Sequence, residues 1–280
     1  MDGLIIVDKN KGITSFDVVR ELTKIFHTKS IGHTGTLDPI ATGVLVCTIG
    51  KYTKLNDVLT STYKEYIAEM VLGEKKDTYD IEGITLSSSD KKVTEEEIRS
   101  VINSYQKKYL QEVPIYSSVK VNGMKLYQYA RQGLNVELPK REVNIKEIEV
   151  LDINDNVVKF RALVSKGTYI RSLINDIGIS LGTFAYMTNL RRTKQGEFNI
   201  KDAYTIEEIK EGNYKLLNIE DVLDVEVVEC DDVLYKQVNN GVKQPINNNH
   251  EYTLYKYNKK NISLYKNDID SSKMFIYFNY

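Results

Sequence analysis

The elements of this chain, read in order, predict an α+β fold. A mixed, mainly antiparallel sheet with flanking helices occupies residues 1–222, and a small β-rich module, read as all-β, occupies residues 223–280. Three observations carry this prediction. Asn122-Gly123, between two short extended runs, is the strongest short-range hairpin signal. Residues 143–151 and 157–165 read as paired strands, with Val158, Phe160, Ala162 and Val164 alternating onto one face. Capped amphipathic segments lie between such strands, notably Thr94 and Glu97 ahead of Ile98, Val101, Ile102 and Tyr105.

Residues 4–8 are a short buried strand, followed by the turn Lys9-Asn10-Lys11-Gly12. Thr14 and Asp17 have capping spacing, and Phe16, Val19, Leu22, Ile25 and Phe26 recur at helical spacing, so a helix runs to about His27. Residues 32–43 hold three Gly, three Thr and one Pro, which no regular element accommodates. This is a shaped loop, and the strand 44–49 follows it. In the strand 63–72, Tyr66, Ala68, Met70 and Leu72 share the more apolar face. Residues 77–83 read as a solvated acidic turn, and the short helix 127–132 ends at Gly133. A helix over 168–181, stopped by Gly182, has the core stripe Ile170, Leu173, Ile174, Ile177 and Leu181. Arg171 sits one position off that stripe, in the first turn, where a cation is unfavourable to the helix dipole unless an acid or a phosphate faces it. Thr205 and Glu208 cap one more short helix. An acidic stretch from Glu220 to Asp232 has no basic residue in it, and the extended runs 252–257, 261–265 and 274–280 follow.

A length of 280 residues suits one large domain or a large one with a small module. With 41% hydrophobic and 28% charged residues the chain has enough apolar material for a core, which excludes general disorder. Lys and Arg number 38 against 39 Asp and Glu, so a uniformly basic surface is excluded and any nucleic-acid partner must be met by a local patch. Cys47 and Cys230 make neither a disulfide framework nor a zinc cluster and read as small buried hydrophobes in a reducing compartment. No run has the length of a signal h-region or a membrane span, so a cytoplasmic location is expected. The absence of a coiled-coil seam points to a monomer.

The loop 32–43 is the strongest local signal for a site, because a loop this rich in Gly and Pro is costly to order. It carries one carboxylate, Asp38, and one histidine, His33. Its plain alternative is a crossover in which Asp38 caps a turn before Pro39. The segment Gly32-His33-Thr34-Gly35-Thr36-Leu37-Asp38-Pro39-Ile40-Ala41-Thr42-Gly43 closely resembles the active-site loop of the tRNA pseudouridine-55 synthase family, the bacterial TruB type. Further segments resemble that family in order: residues 4–12, Tyr63-Lys64-Glu65-Tyr66, residues 114–131, Ser165-Lys166-Gly167-Thr168-Tyr169-Ile170-Arg171, and Leu190-Arg191-Arg192. The resemblance covers about the first four-fifths of the chain. The chain departs from the family in having Asn10 where a Pro is usual, and in a tail shorter than the family's PUA-like RNA module.

The resemblance implies the pseudouridine synthase fold with a central RNA cleft and a PUA-like C-terminal module. It implies isomerisation of uridine-55 in the T arm of tRNA, in which N1–C1′ breaks, the uracil turns and C5–C1′ forms, with no cofactor and no metal. Asp38 is then the catalytic nucleophile, Arg171 pairs with it, and Tyr66 lies under the flipped base. Tyr169 is a second pocket wall, Leu190 closes the apolar side, and His33 enters the RNA stack. Lys9, Lys11, Lys120, Lys125, Arg131, Arg191, Arg192 and Lys194 are candidate backbone contacts, which together predict a basic cleft on a near-neutral protein. Two other readings stand beside this one. One is an RNA-binding protein without catalysis; the other is a metal-dependent nuclease using Asp38 with Asp77 and Asp80.

Overall fold

The computed structural model describes residues 1–60, 63–245, 249–268 and 271–278. The chain opens with β1 (Gly3–Lys9), α1 (Ser15–Ile25), β2 (Ile31–His33), β3 (Thr42–Ile49), α2 (Asn56–Thr60) and β4 (Lys64–Leu72). A hairpin of β5 (Glu74–Lys76) and β6 (Thr85–Ser88) leads to α3 (Glu95–Ser104) and β7 (Lys108–Glu112). The tight hairpin β8 (Lys120–Val121) and β9 (Met124–Lys125) precedes α4 (Leu126–Gln132). Then come β10 (Lys140–Asn154), β11 (Val157–Val164), α5 (Ile170–Leu181), β12 (Ala185–Gln195), β13 (Phe198–Asn199) and α6 (Ile206–Lys210). The C-terminal part contains β14 (Val225–Glu229), α7 (Asp232–Asn239), β15 (Tyr252–Tyr257), β16 (Lys260–Asn267) and β17 (Ser272–Tyr277).

The large sheet runs β1-β3-β12-β4-β11-β10-β7, with β2 on β3 and β13 on β12. Its pairs are antiparallel except β3 with β12, which run parallel through Arg191↔Thr42 and Arg192↔Gly43. At this seam two antiparallel halves meet. It requires glycine at position 43: φ is +102° there, and a Cβ would run into the Arg192 carbonyl. In one half, Tyr66, Ala68, Met70, Phe160, Ala162 and Val164 face α3 and α5, and Leu37 and Ile40 of the loop join that core. In the other half, Ile5, Val7, Leu45 and Cys47 take Val18 and Leu22 of α1 and Phe26 just beyond its end. The alternate residues Leu4, Ile6, Val44 and Val46 form the opposite face of that half, which the C-terminal sheet covers with Tyr252, Leu254, Leu264 and Ile276. Both cysteines are free and buried.

Most predicted elements stand within a few residues of their expected bounds, and the differences are instructive. The first helix ends at Ile25, because His27 turns into the left-handed region at φ 50°. Phe16 is not on its core stripe: it is 64% exposed, under the Arg20 guanidinium, and the buried positions are Val18 and Leu22 with Phe26 beyond the end. The fifth helix begins at Ile170, with Tyr169 as its N-cap. The C-terminal module is not all-β: α7 packs against β16, and β14 pairs parallel with β15. Its acidic residues mask that strand in the sequence, yet β14 is an edge strand, where charged side chains are tolerated. The expected run 274–280 ends at Tyr277 as a strand, and residues 279 and 280 lie outside the described residues.

The revised stripe of α1 has a measurable consequence. Leu22→Ala leaves a cavity between α1 and the sheet and costs about 2–5 kcal/mol of unfolding free energy, whereas Phe16→Ala costs under about 1 kcal/mol. Urea titration of the two variants measures the difference.

Candidate active site

A cleft of about 560 Å³ opens where the loop 35–38 meets β4, the segments 116–119 and 166–171, and the side chains of Leu190 and Arg192. The loop's shape is imposed from below. The Ser15 hydroxyl accepts from the Leu37 N–H at 2.8 Å and donates to the Leu37 carbonyl at 3.2 Å. The Gly12 N–H donates to the Pro39 carbonyl at 2.8 Å, and the Ala41 N–H closes a turn onto the Asp38 carbonyl at 3.0 Å. Asp38 is thereby presented with its carboxylate about a third exposed in the cleft, 35% by side-chain area.

Arg171 reaches it from the first turn of α5. Nε lies 2.9 Å from Asp38 Oδ2 and Nη2 donates to Oδ1 at 3.2 Å, a two-point pairing that fixes the carboxylate's plane. The guanidinium is buried, and its other donors go to the carbonyls of Thr78 and Tyr116, both at 3.1 Å. Asp80 Oδ2 stands 3.7 Å away on the far side. The acidic turn is therefore not simply solvated. Asp80 is buried, and its Oδ1 accepts from the Thr78 hydroxyl and the Glu82 N–H. Asp77 accepts from the Ile84 N–H and the Tyr116 hydroxyl. A guanidinium occupies the space between Asp38 and Asp80 where a shared metal ion would have to sit.

Tyr66 lines the cleft from the middle of β4, beside Leu190 on β12. Its hydroxyl accepts from Arg192 Nη1 at 3.4 Å. Arg192 also donates to the carbonyls of Val44 at 2.6 Å and Gly35 at 2.9 Å. Tyr169 and Arg171 complete the wall, so Asp38, Tyr66, Tyr169, Arg171 and Leu190 converge. His33 is on β2 at the head of the loop, outside the cleft lining, with Nδ1 accepting from the Gly35 N–H at 3.4 Å. Burial, and then the charge of Arg192, lower its pKa from 6.5, so it is neutral at pH 7.

The expected cations divide. Lys120 is exposed on the β8–β9 hairpin. Lys125 and Arg131 lie 5.7 and 5.4 Å from the ring centroid of Tyr127, itself a cleft residue, so these two flank the opening. Lys9 and Arg192 do not reach solvent. Lys9 is fully buried, with Nζ donating to the carbonyls of Asn10, Ile13 and Pro39, so it braces the loop rather than meeting a phosphate. Strand alternation directs Arg191 away from Leu190 and Arg192, and it is held by the Asp8 carboxylate at 2.7 and 3.1 Å. It is not in the cleft lining. Lys64 was not anticipated. It is buried in the cleft wall, and burial, then the charges of Arg192 and Lys166, bring its pKa down to about 8. Its signal was available, since it stands two residues before Tyr66 on the same strand face.

Residues 23–170 match the model of the TruB family pseudouridylate synthase N-terminal domain, and residues 171–234 match that of the tRNA pseudouridylate synthase B C-terminal domain. The chain belongs to the TruB family of pseudouridylate synthases. It is 46% identical over 247 residues to the tRNA pseudouridine synthase B of Clostridium tetani, across 87% of this chain and 86% of that protein. To the tRNA pseudouridine synthase B of Clostridium acetobutylicum it is 43% identical over 274 residues, across 94% and 95%. A chain in the crystal structure of a Cbf5-Nop10-Gar1 complex superposes with a TM-score of 0.69 at 26% identity, over 97% of this chain and 83% of that one. Membership makes the chain an isomerase and assigns the large sheet to the pseudouridine synthase fold.

The buried Lys9 yields a pH test. Burial brings its pKa from 10.5 to about 8, against the raising effect of Asp38. Between about pH 8 and 10 the unfolded chain holds the proton that the folded chain has lost, so this residue makes stability rise with pH. The slope of unfolding free energy against pH in that window is expected to be less positive in Lys9→Met than in the wild type, as chemical denaturation at several pH values measures.

Proposed function

We propose that the protein isomerises uridine-55 in the T loop of tRNA to pseudouridine, with Asp38 as the catalytic nucleophile and the target nucleotide flipped into the cleft. The observation that carries this reading is the two-point Asp38–Arg171 pair at the floor of a cleft walled by Tyr66, Tyr169 and Leu190. A guanidinium that is itself held by two carbonyls fixes the Asp38 carboxylate at one place and in one plane, aimed into the cleft. Asp38 attacks the target nucleotide, the N1–C1′ bond breaks with its electron pair going to the uracil, the base turns, C5 bonds to C1′, and the bond to Asp38 breaks so that the carboxylate is restored. C5 then gives up its proton and N1 acquires one, so the reaction is balanced without a cofactor, a metal or a redox change. Tyr66 offers a ring face for stacking on the uracil and a hydroxyl near the bond-forming edge. Because the target edge is hidden in a stacked loop, entry requires flipping. The curated relatives' name supplies the substrate class, tRNA.

We further propose that residues 1–222 act as the catalytic domain, that residues 223–280 form its PUA-like module, and that the protein works as a monomer on the T arm. His33 stands where the loop leaves β2, a place from which a neutral imidazole can enter the RNA stack. Lys166, exposed in the cleft lining, and Lys125 and Arg131, beside Tyr127, grip the phosphates together with Lys120 of the β8–β9 hairpin. Among the described residues no helix is long and apolar enough to cross a membrane.

Two outcomes are expected. In tritium release from tRNA carrying 5-tritiated uracil, Asp38→Asn falls at least about 10³-fold below wild type while still binding tRNA. Full activity in that variant would remove Asp38 from the chemistry, and binding without release by the wild type would make the protein an RNA binder. Second, tRNA affinity weakens at least about tenfold between 50 and 200 mM salt, and Arg131→Ala lowers the log–log salt slope by about one. An affinity indifferent to salt contradicts the basic cleft.

A further inference from the structure

The first turn of α5 carries Arg171, yet it has no cap of its own, because Tyr169 at the N-cap position supplies no side-chain acceptor. What holds this turn comes from β7, an edge of the large sheet more than fifty residues earlier in the chain. Gln111 is fully buried. Its Oε1 accepts from the Tyr169 N–H at 2.8 Å, and its Nε2 donates to the Tyr169 carbonyl at 3.1 Å. One side-chain amide thus meets both backbone groups of one residue, as a neighbouring strand would.

The chain that follows reinforces the grip. The Ser172 hydroxyl donates to the Glu112 carbonyl at 3.0 Å, and Arg171 Nη2 donates to the Tyr116 carbonyl at 3.1 Å. Residues 111, 112 and 116 therefore hold residues 169, 172 and 171. Behind the clamp, Gln111 Nε2 also donates to the Tyr109 hydroxyl at 2.7 Å, and that hydroxyl donates to Asp176 Oδ2 at 3.2 Å, about two turns further along α5. Burial raises the pKa of Tyr109 and brings that of Asp176 up to about 6, which keeps the phenol protonated as a donor.

A buried amide carries a desolvation cost that an apolar side chain of the same size does not. At an inward-facing position of an edge strand, packing alone is served by leucine. The amide's geometry is explained by what it holds. We propose that Gln111 is a positioning residue for the Asp38–Arg171 site: it sets the backbone of Tyr169 and, through the first turn of α5, the point from which Arg171 reaches Asp38. This rests on the function proposed above for Asp38 and Arg171.

The test uses the full chain with Gln111→Leu, Gln111→Glu, Asp38→Asn and wild type, assayed by tritium release from 5-tritiated uracil tRNA. In Gln111→Leu, kcat falls about 10- to 100-fold while KM for tRNA stays within about threefold, since the phosphate-gripping surface is elsewhere. In Gln111→Glu the ionised carboxylate accepts from Tyr169 N–H but cannot donate to its carbonyl. The protonated carboxyl does both, so the ratio of Gln111→Glu to wild-type kcat rises as pH falls. The titratable groups around position 111 are Tyr109 and Glu112 on β7, Arg141 opposite it on β10, Tyr169 and Asp176 from α5, and the nearby Tyr79 and Tyr105. Wild type shares all of them, so the ratio isolates the new carboxyl. A Gln111→Leu kcat within about threefold of wild type, a loss confined to KM, or a ratio flat with pH each overturns the proposal. If Gln111→Leu does not fold, the Gln111→Glu ratio decides alone. An active Gln111→Leu beside an inactive Asp38→Asn removes Gln111 and leaves the site intact, whereas no release by wild type removes the site itself.

Discussion

The pairing of Arg171 with Asp38 is the interaction around which this protein is arranged. A carboxylate on a loop turns freely unless a partner at a fixed place holds both of its oxygens, and Arg171 holds both. The cation and the carboxylate lie 133 positions apart in the chain, and each is held by its own set of hydrogen bonds. The loop bearing Asp38 is pinned by Ser15, Gly12 and the buried ammonium of Lys9. The turn bearing Arg171 is held by Gln111, Glu112 and Tyr116. With its remaining donors spent on the Thr78 and Tyr116 carbonyls, the guanidinium has little freedom to leave its partner. Such a pair is chiefly a device of geometry, because the desolvation of two charges offsets much of their attraction.

The same economy governs the seam of the sheet. Two antiparallel halves meet where β3 and β12 run parallel, and parallel contact there is only two residue pairs long. Arg192 crosses it. From β12 it binds the Val44 carbonyl on β3, the Gly35 carbonyl in the loop and the Tyr66 hydroxyl on β4. One buried guanidinium thus ties the two halves to the loop and to the ring that lines the cleft. The cost of burying it is met by three acceptors, and the glycine at position 43 leaves room for the close approach of the strands.

On the far face of β1 and β3, the C-terminal sheet closes the core. Tyr252, Leu254, Leu264 and Ile276 pack onto Leu4, Ile6, Val44 and Val46, and together with Tyr52, Leu55, Phe198 and Ile219 they cover that face of β1 and β3. The module therefore stabilises the strands that flank the loop, independently of any contact with RNA.

Local physics made much of this legible in the residues alone. Period-two alternation in β4 and β11, the capping boxes at Thr14, Thr94 and Thr205, and the glycines that end α4 and α5 depend only on neighbours within a few positions. The segment 32–43 is marked by its Gly, Pro and Thr content and its motif points to the family, although its two ends, residues 32–33 and 42–43, pair as parts of β2 and β3 rather than as loop. Tertiary structure decided whatever depends on distant partners. Nothing near Lys9, Arg191 or Arg192 in the sequence tells a buried brace from a surface cation; what tells them apart is whether carbonyls or a carboxylate lie opposite in the folded sheet. The acidic turn at Asp80 looks like any solvated loop until Arg171 is folded against it. Gln111 carries no local signal at all, because the two groups it holds belong to a helix that follows 58 positions later.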